Sequence, residues 1–227
     1  MKNIAIIPAR SGSKRLINKN IKPLCGKPML AYSIEAAKKS GMFSEIIVST
    51  DSEEYASIAL KYGANVPFLR SKANSTDTAS SWDMVREVLD QYKKAGNEFD
   101  TFTLLQPTTP LRTHQDIIEG YKLLEEKNAG AIVSVCESEH TLSIYNYLPD
   151  DMSLTDFLDT SGLHSGQKSY RLNGAVYIST VEHFESHASI YDENCYAMVM
   201  PQERSVDVDT NLDFMIAETI IKYIQHN

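Results

Sequence analysis

The chain opens with an unbroken apolar run, Ile4-Ala5-Ile6-Ile7, followed by mostly small, polar and basic positions as far as Asn20. A short apolar run that stops at a small-residue loop predicts a strand buried on both faces. Comparable runs recur at Ile46–Val48, Val66–Leu69, Thr101–Leu105, Ala131–Val135, Ala175–Ile178 and Tyr196–Met200. Between them, apolar positions fall at helical spacing over Met29–Lys39, Glu53–Tyr62, Ser80–Lys94, Gln115–Lys127, Thr180–His187 and Asn211–Ile224. Asp51-Ser52 and Thr113 stand where N-caps are expected. Alternating strands and helices predict a parallel sheet covered on both faces.

From Glu137 to Ser169 this rhythm fails. Tyr, Asp, Ser and Gly mix without a period, and Pro149-Asp150-Asp151 and Ser165-Gly166 read as turns. An irregular insertion of that length is expected to be functional or packed against a partner. No internal repeat, low-complexity stretch or interdomain linker interrupts the chain. Residues 1–227 therefore read as one doubly wound α/β domain, with an excursion at 137–169.

Four places carry candidate chemistry. The first is the basic loop after the opening strand, with Arg10, Ser13, Lys14, Arg15, Lys19 and Asn20. Small residues let backbone N–H groups approach a ligand, and the cations suit a polyphosphate at the carboxyl end of a sheet. The GxxxxGK[ST] and GxGxxG spacings are both absent, and a solvated turn is the plainer alternative. The second is Arg70 with Thr76–Ser81, where Ser75 or Asp77 would cap a helix above a buried Trp82. Hydroxyls and backbone groups at that helix start could also read a nucleobase edge. The third, Gln106-Pro107-Thr108-Thr109-Pro110-Leu111-Arg112, is stiffened by two prolines and offers the Gln106 amide at the sheet edge. The fourth is Val206-Asp207-Val208-Asp209-Thr210. Its period of two sets both carboxylates on one face of an extended segment, where a Mg²⁺ ion would relieve their repulsion.

Composition narrows these readings. With 42% hydrophobic and 23% charged residues, the chain is ordinary for a soluble globular protein. Its net charge of −8 argues against general nucleic-acid or anionic-membrane binding, and makes the basic opening loop stand out. Cys25, Cys136 and Cys195 are far apart without metal spacing, which suggests a reduced, cytoplasmic protein. No signal-peptide core or membrane-length apolar run is seen. His183 and His187, four apart, read as a solvated helix face.

The ordered set of motifs resembles the CMP-N-acylneuraminate (CMP-sialic acid) synthetases. Pro8–Lys14 with Lys19-Asn20 is similar to their signature loop. Gly26-Lys27-Pro28, Ser49-Thr50-Asp51, Asp77–Ser81, Leu105–Arg112, Asn173–Tyr177 and Asp207–Thr210 follow in family order. The resemblance spans nearly the whole chain and implies a Rossmann-like, mostly parallel sheet of the nucleotide-diphospho-sugar transferase type. It implies that Arg10, Ser13, Lys14 and Asn20 hold the phosphates and ribose of CTP, while Arg70, Ala79 and Ser81 read cytosine. Asp207 and Asp209 would bind Mg²⁺, and Gln106, Arg171, Tyr177 and Tyr191 would line a site for an acidic nine-carbon sugar. Arg10, Lys14 and Asp209 would act in catalysis. A homodimer joined through 137–169 is implied as well.

Departures from the family pattern fall on the sugar side. Leu163-His164-Ser165-Gly166-Gln167 stands where the family commonly has Arg-Gln-x-Leu-Pro, and Thr141-Leu142-Ser143 where it has a lysine after the His140 position. The expected reaction is attack of the 2-hydroxyl of a 2-keto sugar acid, N-acetylneuraminic acid first, on the α-phosphorus of CTP. Legionaminic, pseudaminic or 3-deoxy-octulosonic acid are alternatives, and a catalytically silent nucleotide-binding homologue is a different class of reading. No side chain stands out as general base beyond Asp209 or a water beside it.

Overall fold

A computed structural model describes residues 1–140, 145, 150, 152 and 168–226. The opening apolar run forms β1 (Asn3–Pro8), which lies inside a six-stranded sheet. Because side chains alternate across a strand, Ile4 and Ile6 enter one core while Ala5 and Ile7 enter the other. After β1 come a small hairpin, β2 (Pro23–Leu24) and β3 (Lys27–Pro28), then α1 (Met29–Ser40), β4 (Glu45–Ser49) and α2 (Glu53–Tyr62). The chain continues through α3 (Ser81–Lys94), β5 (Thr101–Leu104), α4 (His114–Glu126) and β6 (Ala131–Glu137). It ends with β7 (Tyr170–Thr180), α5 (Val181–Ser186), β8 (Cys195–Val199) and α6 (Asn211–His226).

The strand order is β4-β1-β5-β7-β6-β8. β1 is parallel to β4 and β5, and β6 to β8, whereas β7 runs antiparallel to both of its neighbours. Leu30, Ile34, Ile117 and Tyr121 of α1 and α4 cover one face of the sheet. Met84, Val85, Val88 and Phe184 of α3 and α5 cover the other. The doubly wound, mostly parallel expectation holds.

A third cluster, remote from the sheet centre, joins Leu16, Leu24, Met29, Leu111 and Val208 to Phe214, Ala217 and Ile221 of α6. Full burial of one such side chain contributes about 1.5–3 kcal/mol, so α6 clamps the segment that precedes it rather than trailing from it.

Helix ends follow the polar punctuation of the sequence. The Ser52 hydroxyl accepts from the Tyr55 amide, and Thr113 and Asp116 form a reciprocal capping box. α3 differs, because Ser80, and not Ser75 or Asp77, is its cap. Residues Ala73–Ser75 turn separately as a 3₁₀ segment, and the Asp77 carboxylate is drawn to the basic loop. Trp82 is half-buried rather than buried. Val66–Leu69 forms no strand, since only Asn65 bridges to Ile47 and Pro67 has no amide to continue the ladder. His183 is buried, not solvated. Its ring stacks on His187 at 4.3 Å and packs where a side chain at Gly130 would collide with it.

The expected excursion at 137–169, with its turns and its role at a dimer interface, lies mostly outside the described residues, as do Thr141–Ser143 and Leu163–Gln167. At its two ends the Ser138 amide donates to the Ser169 carbonyl at 2.8 Å, and Lys168 pairs with Glu137 at 2.9 Å.

Candidate active site

A cavity of about 680 Å³ opens at the carboxyl edge of the sheet, beside the ends of β1, β4 and β5. Open α/β sheets bind ligands there because the loops diverge while the strands hold their roots rigid. Arg10, Ser13, Lys14, Asn20, Arg70, Ala79, Ser81, Gln106, Asp207 and Asp209 all line it. Ten side chains drawn from four separate motifs thus meet around one volume, large enough for a nucleotide.

The basic loop is held from behind. The Ala9 amide donates to the Ser49 carbonyl, and the Ser11 amide and hydroxyl both bind the Asp51 carboxylate. Buried Asn20 donates to the Arg10 carbonyl at 3.0 Å, so it shapes the loop from inside. With Leu16 also buried, Arg10, Lys14, Arg15 and Lys19 are left pointing toward the cavity. Carboxylates across the opening meet all four. Asp77 binds Arg10 at 2.7 Å and also Lys14, while Asp209 binds Lys19 at 2.7 Å and Arg15 at 3.3 Å. Hydrogen bonds from Lys14 and then Arg10 hold the exposed Asp77 carboxyl below the usual range.

Arg70 reaches the cavity but is largely committed elsewhere. Its Nε and Nη2 donate to the Ser49 hydroxyl and carbonyl, and its own amide donates to the Thr50 carbonyl. Burial lowers its pKa to about 10, leaving it a cation at neutral pH. This fixed positive charge sits beside the start of α3, where Ala79, Ser80 and Ser81 offer short side chains to the cavity.

On the opposite wall, Val208 is fully buried, and its amide donates to the Thr108 carbonyl at 2.7 Å. The period-two alternation then turns Asp207 and Asp209 into the cavity, as the sequence pattern predicts. Asp207 is exposed to solvent through the cavity, yet desolvation by the surrounding walls raises its carboxyl pKa. A hydrogen bond from Thr108 opposes that rise, and the charge of Asp209 adds to it. Among the described residues no group of three or more His, Cys, Asp or Glu could hold a metal. The site therefore offers two carboxylates on one face, a donor set that suits a hard cation sharing its remaining positions with water and substrate oxygens.

Arg171, Tyr177 and Tyr191 do not line this cavity. Tyr177 is buried in the core, whereas Arg171 and Tyr191 are exposed. Arg171 donates to the Ser205 carbonyl at 3.0 Å and lies near enough to Asp207 to act on its charge, as does Tyr177. Trp82 links the two tyrosines to α3, its ring 5.7 Å from Tyr177 and 6.4 Å from Tyr191. The basic run singled out Arg15 and Lys19 with the other cations, but the resemblance assigned no role to them, nor to Asp77 or Thr108, although all four line the cavity. Lys19 carried a signal in the basic run. Asp77 carried none beyond its place near a helix start.

Comparison with known proteins places the chain. The cytidylyltransferase family model matches residues 4–217. An N-acylneuraminate cytidylyltransferase of Escherichia coli is 41% identical over 96% of this chain, but over only 52% of its own length. Streptococcus agalactiae has another at 40% identity, with 52% of the relative covered. The chain thus spans about half the length of these curated relatives. A CMP-N,N'-diacetyllegionaminic acid synthase of Legionella pneumophila is 34% identical over 99% of this chain and 98% of its own. In fold, the chain matches a CMP:2-keto-3-deoxy-manno-octonic acid synthetase solved with CTP, at a TM-score of 0.74, 16% identity, and 99% and 100% coverage of the two chains.

Proposed function

The chain belongs to the cytidylyltransferase family, and we propose that it transfers CMP from CTP to the 2-hydroxyl of an acidic 2-keto sugar, releasing pyrophosphate. The convergence of the four motifs on one cavity carries this reading. Arg10 and Lys14 hold the triphosphate as charge-assisted donors, with Ser13 and Asn20 keeping the loop around phosphates and ribose. Arg70, Ala79 and Ser81 receive cytosine at the start of α3.

Asp207 and Asp209 would hold a Mg²⁺ ion, which when bound neutralises charge on the phosphates. Their shared orientation into the cavity supports this fit. The reaction itself asks mainly for positioning. The sugar hydroxyl attacks the α-phosphorus in line, and the bond to the β-phosphate oxygen breaks as pyrophosphate leaves. Arg10 and Lys14 stabilise the charge that gathers on that leaving group. The hydroxyl proton passes to Asp209 or to solvent beside it.

Gln106 inside the cavity, with Arg171, Tyr177 and Tyr191 beyond it, forms the sugar side. Arg171, near Asp207 and bound to a backbone carbonyl, is the cation proposed to meet the sugar carboxylate. N-acetylneuraminic acid is the first candidate, in line with the relative at 41% identity. N,N'-diacetyllegionaminic acid is the second, because the relative named for it matches this chain from end to end. A homodimer in the cytoplasm completes the proposal. The three free cysteines suit a reducing compartment, and no described helix is long and apolar enough to cross a membrane.

The test is pyrophosphate release from CTP with a panel of sialic, legionaminic, pseudaminic and 3-deoxy-octulosonic acids, with and without Mg²⁺. Metal-dependent release with at least one sugar is expected. CTP binding without release from any sugar would overturn transfer in favour of a silent binding protein.

A further inference from the structure

The loop Gln106–Arg112 borders the cavity through Gln106, Pro107 and Thr108, and it is fastened from beneath by one buried cation. Arg112 is fully buried, yet forms no ion pair among the described residues. Its nearest acidic neighbour by charge, Asp116, is already engaged by both Nε and Nη2 of Arg204 and by Thr113. The guanidinium spends its donors on its own loop and on α1. Nη2 donates to the Gln106 carbonyl at 3.0 Å, Nη1 to the Thr109 carbonyl at 3.1 Å, and Nη2 to the Ser33 hydroxyl at 2.7 Å. Its Nε has no partner. A buried cation held by carbonyl oxygens, with a donor left over, is expensive to keep for stability alone, since apolar packing would fill the same space at lower cost.

The loop it holds branches to both halves of the site. The Thr108 carbonyl accepts the Val208 amide at 2.7 Å, and Thr108 also bonds to Asp207. The Thr109 hydroxyl donates to the Gly174 carbonyl at 3.2 Å, on the strand that carries Tyr177. A Cβ at Gly174 would stand 2.5 Å from Oε1 of Gln106, so the Gln106 side chain is set against that strand with no room to spare. We propose that Arg112 is a positioning residue that fixes the spacing between Gln106 and the Asp207–Asp209 segment, and so aligns the sugar with the reacting phosphate. The fork geometry matters as well as the charge, because lysine could reach only one of the two carbonyls in the same way. This inference rests on the cytidylyl-transfer reading.

Arg112→Lys and the milder Ser33→Ala, which removes one acceptor of the guanidinium, are compared with the unsubstituted protein. Amide exchange at Val208 reports the Thr108 bond without any need for turnover. In Arg112→Lys it is expected to speed up about tenfold or more, while the amides of β1 stay unchanged. The kcat should fall about thirtyfold and the sugar KM rise, with CTP affinity by calorimetry unchanged within about threefold. Ser33→Ala should move the same quantities in the same direction by less, and it decides the matter if Arg112→Lys does not fold. A folded variant with unchanged Val208 exchange, or with kcat and CTP affinity lost in parallel, overturns the proposal. Absence of turnover in the unsubstituted protein would sink the transfer reading, and the exchange comparison would still decide for or against Arg112.

Discussion

The two walls of the site are built in opposite ways. The wall proposed for the nucleotide comes from short, dense stretches, 10–20 and 70–81, each rooted at a strand end or helix start. Its charges form a ring of close pairs, with Asp77 and Asp209 facing four basic residues of a single loop. The wall proposed for the sugar is assembled from single residues on distant elements: Gln106 after β5, Arg171 and Tyr177 on β7, and Tyr191 ahead of β8. Aromatic faces and backbone carbonyls hold it instead of ion pairs. A charge shared by every nucleotide triphosphate can be met by one local motif. A sugar distinguished by its substituents needs a surface that can be changed one residue at a time.

If the walls are separable, substitutions should divide cleanly between them. The largest effect is expected at their junction. Asp209→Asn should reduce turnover by about a thousandfold or more, while calorimetric CTP binding largely survives. Near-normal pyrophosphate release in that variant would remove Asp209 from the reaction. Next, Arg10→Ala should weaken CTP by about ten- to a hundredfold and leave the sugar KM within about twofold. A matching rise in the sugar KM would join the two walls into one unit. Conversely, Tyr191→Ala should raise the sugar KM about fivefold at unchanged CTP affinity.

The smallest effect concerns stability. The carboxyl of Asp207 is raised by desolvation, so its charged form costs folding free energy above the raised pKa, and that cost vanishes below the ordinary carboxylate range near about 4. Asp207→Asn should therefore raise the melting temperature of the metal-free protein at pH 7, and the gain should fade as the pH falls. Water in the cavity keeps the gain modest. A gain that grows toward low pH would contradict the assignment.

The same contrast explains what the sequence made legible. Strand runs, helix periods and the Thr113 and Ser52 caps are local signals, and they placed the sheet and most helices to within a few residues. Val66–Leu69 misled because its apolar content suits a strand while Pro67 prevents the pairing. The nucleotide wall was legible because its chemistry is clustered in sequence. Asp77 was read as a cap, since nothing local reveals a partner more than sixty residues away. His183 was misplaced because the groove at Gly130 that receives its ring is formed only by folding. The residues proposed for the sugar were named through family order, residue by residue, and composition alone would not have assembled them.

The reversed direction of β7 has a consequence for how such a protein can diversify. β6 ends, and β7 begins, on the edge of the sheet where the cavity opens, with Cys136 registered against Arg171 and Glu137 against Tyr170. The bond between Ser138 and Ser169 closes the two strands into a neck. Lengthening a chain between fixed ends costs little, about 0.6 kcal/mol for each doubling. Whatever the chain carries between those ends can thus vary like a cassette, while the ladder, the Asp207–Asp209 segment and the basic loop keep their places. A neck of this kind lets the chain between its two ends change in length or sequence without moving the strands that carry the cavity.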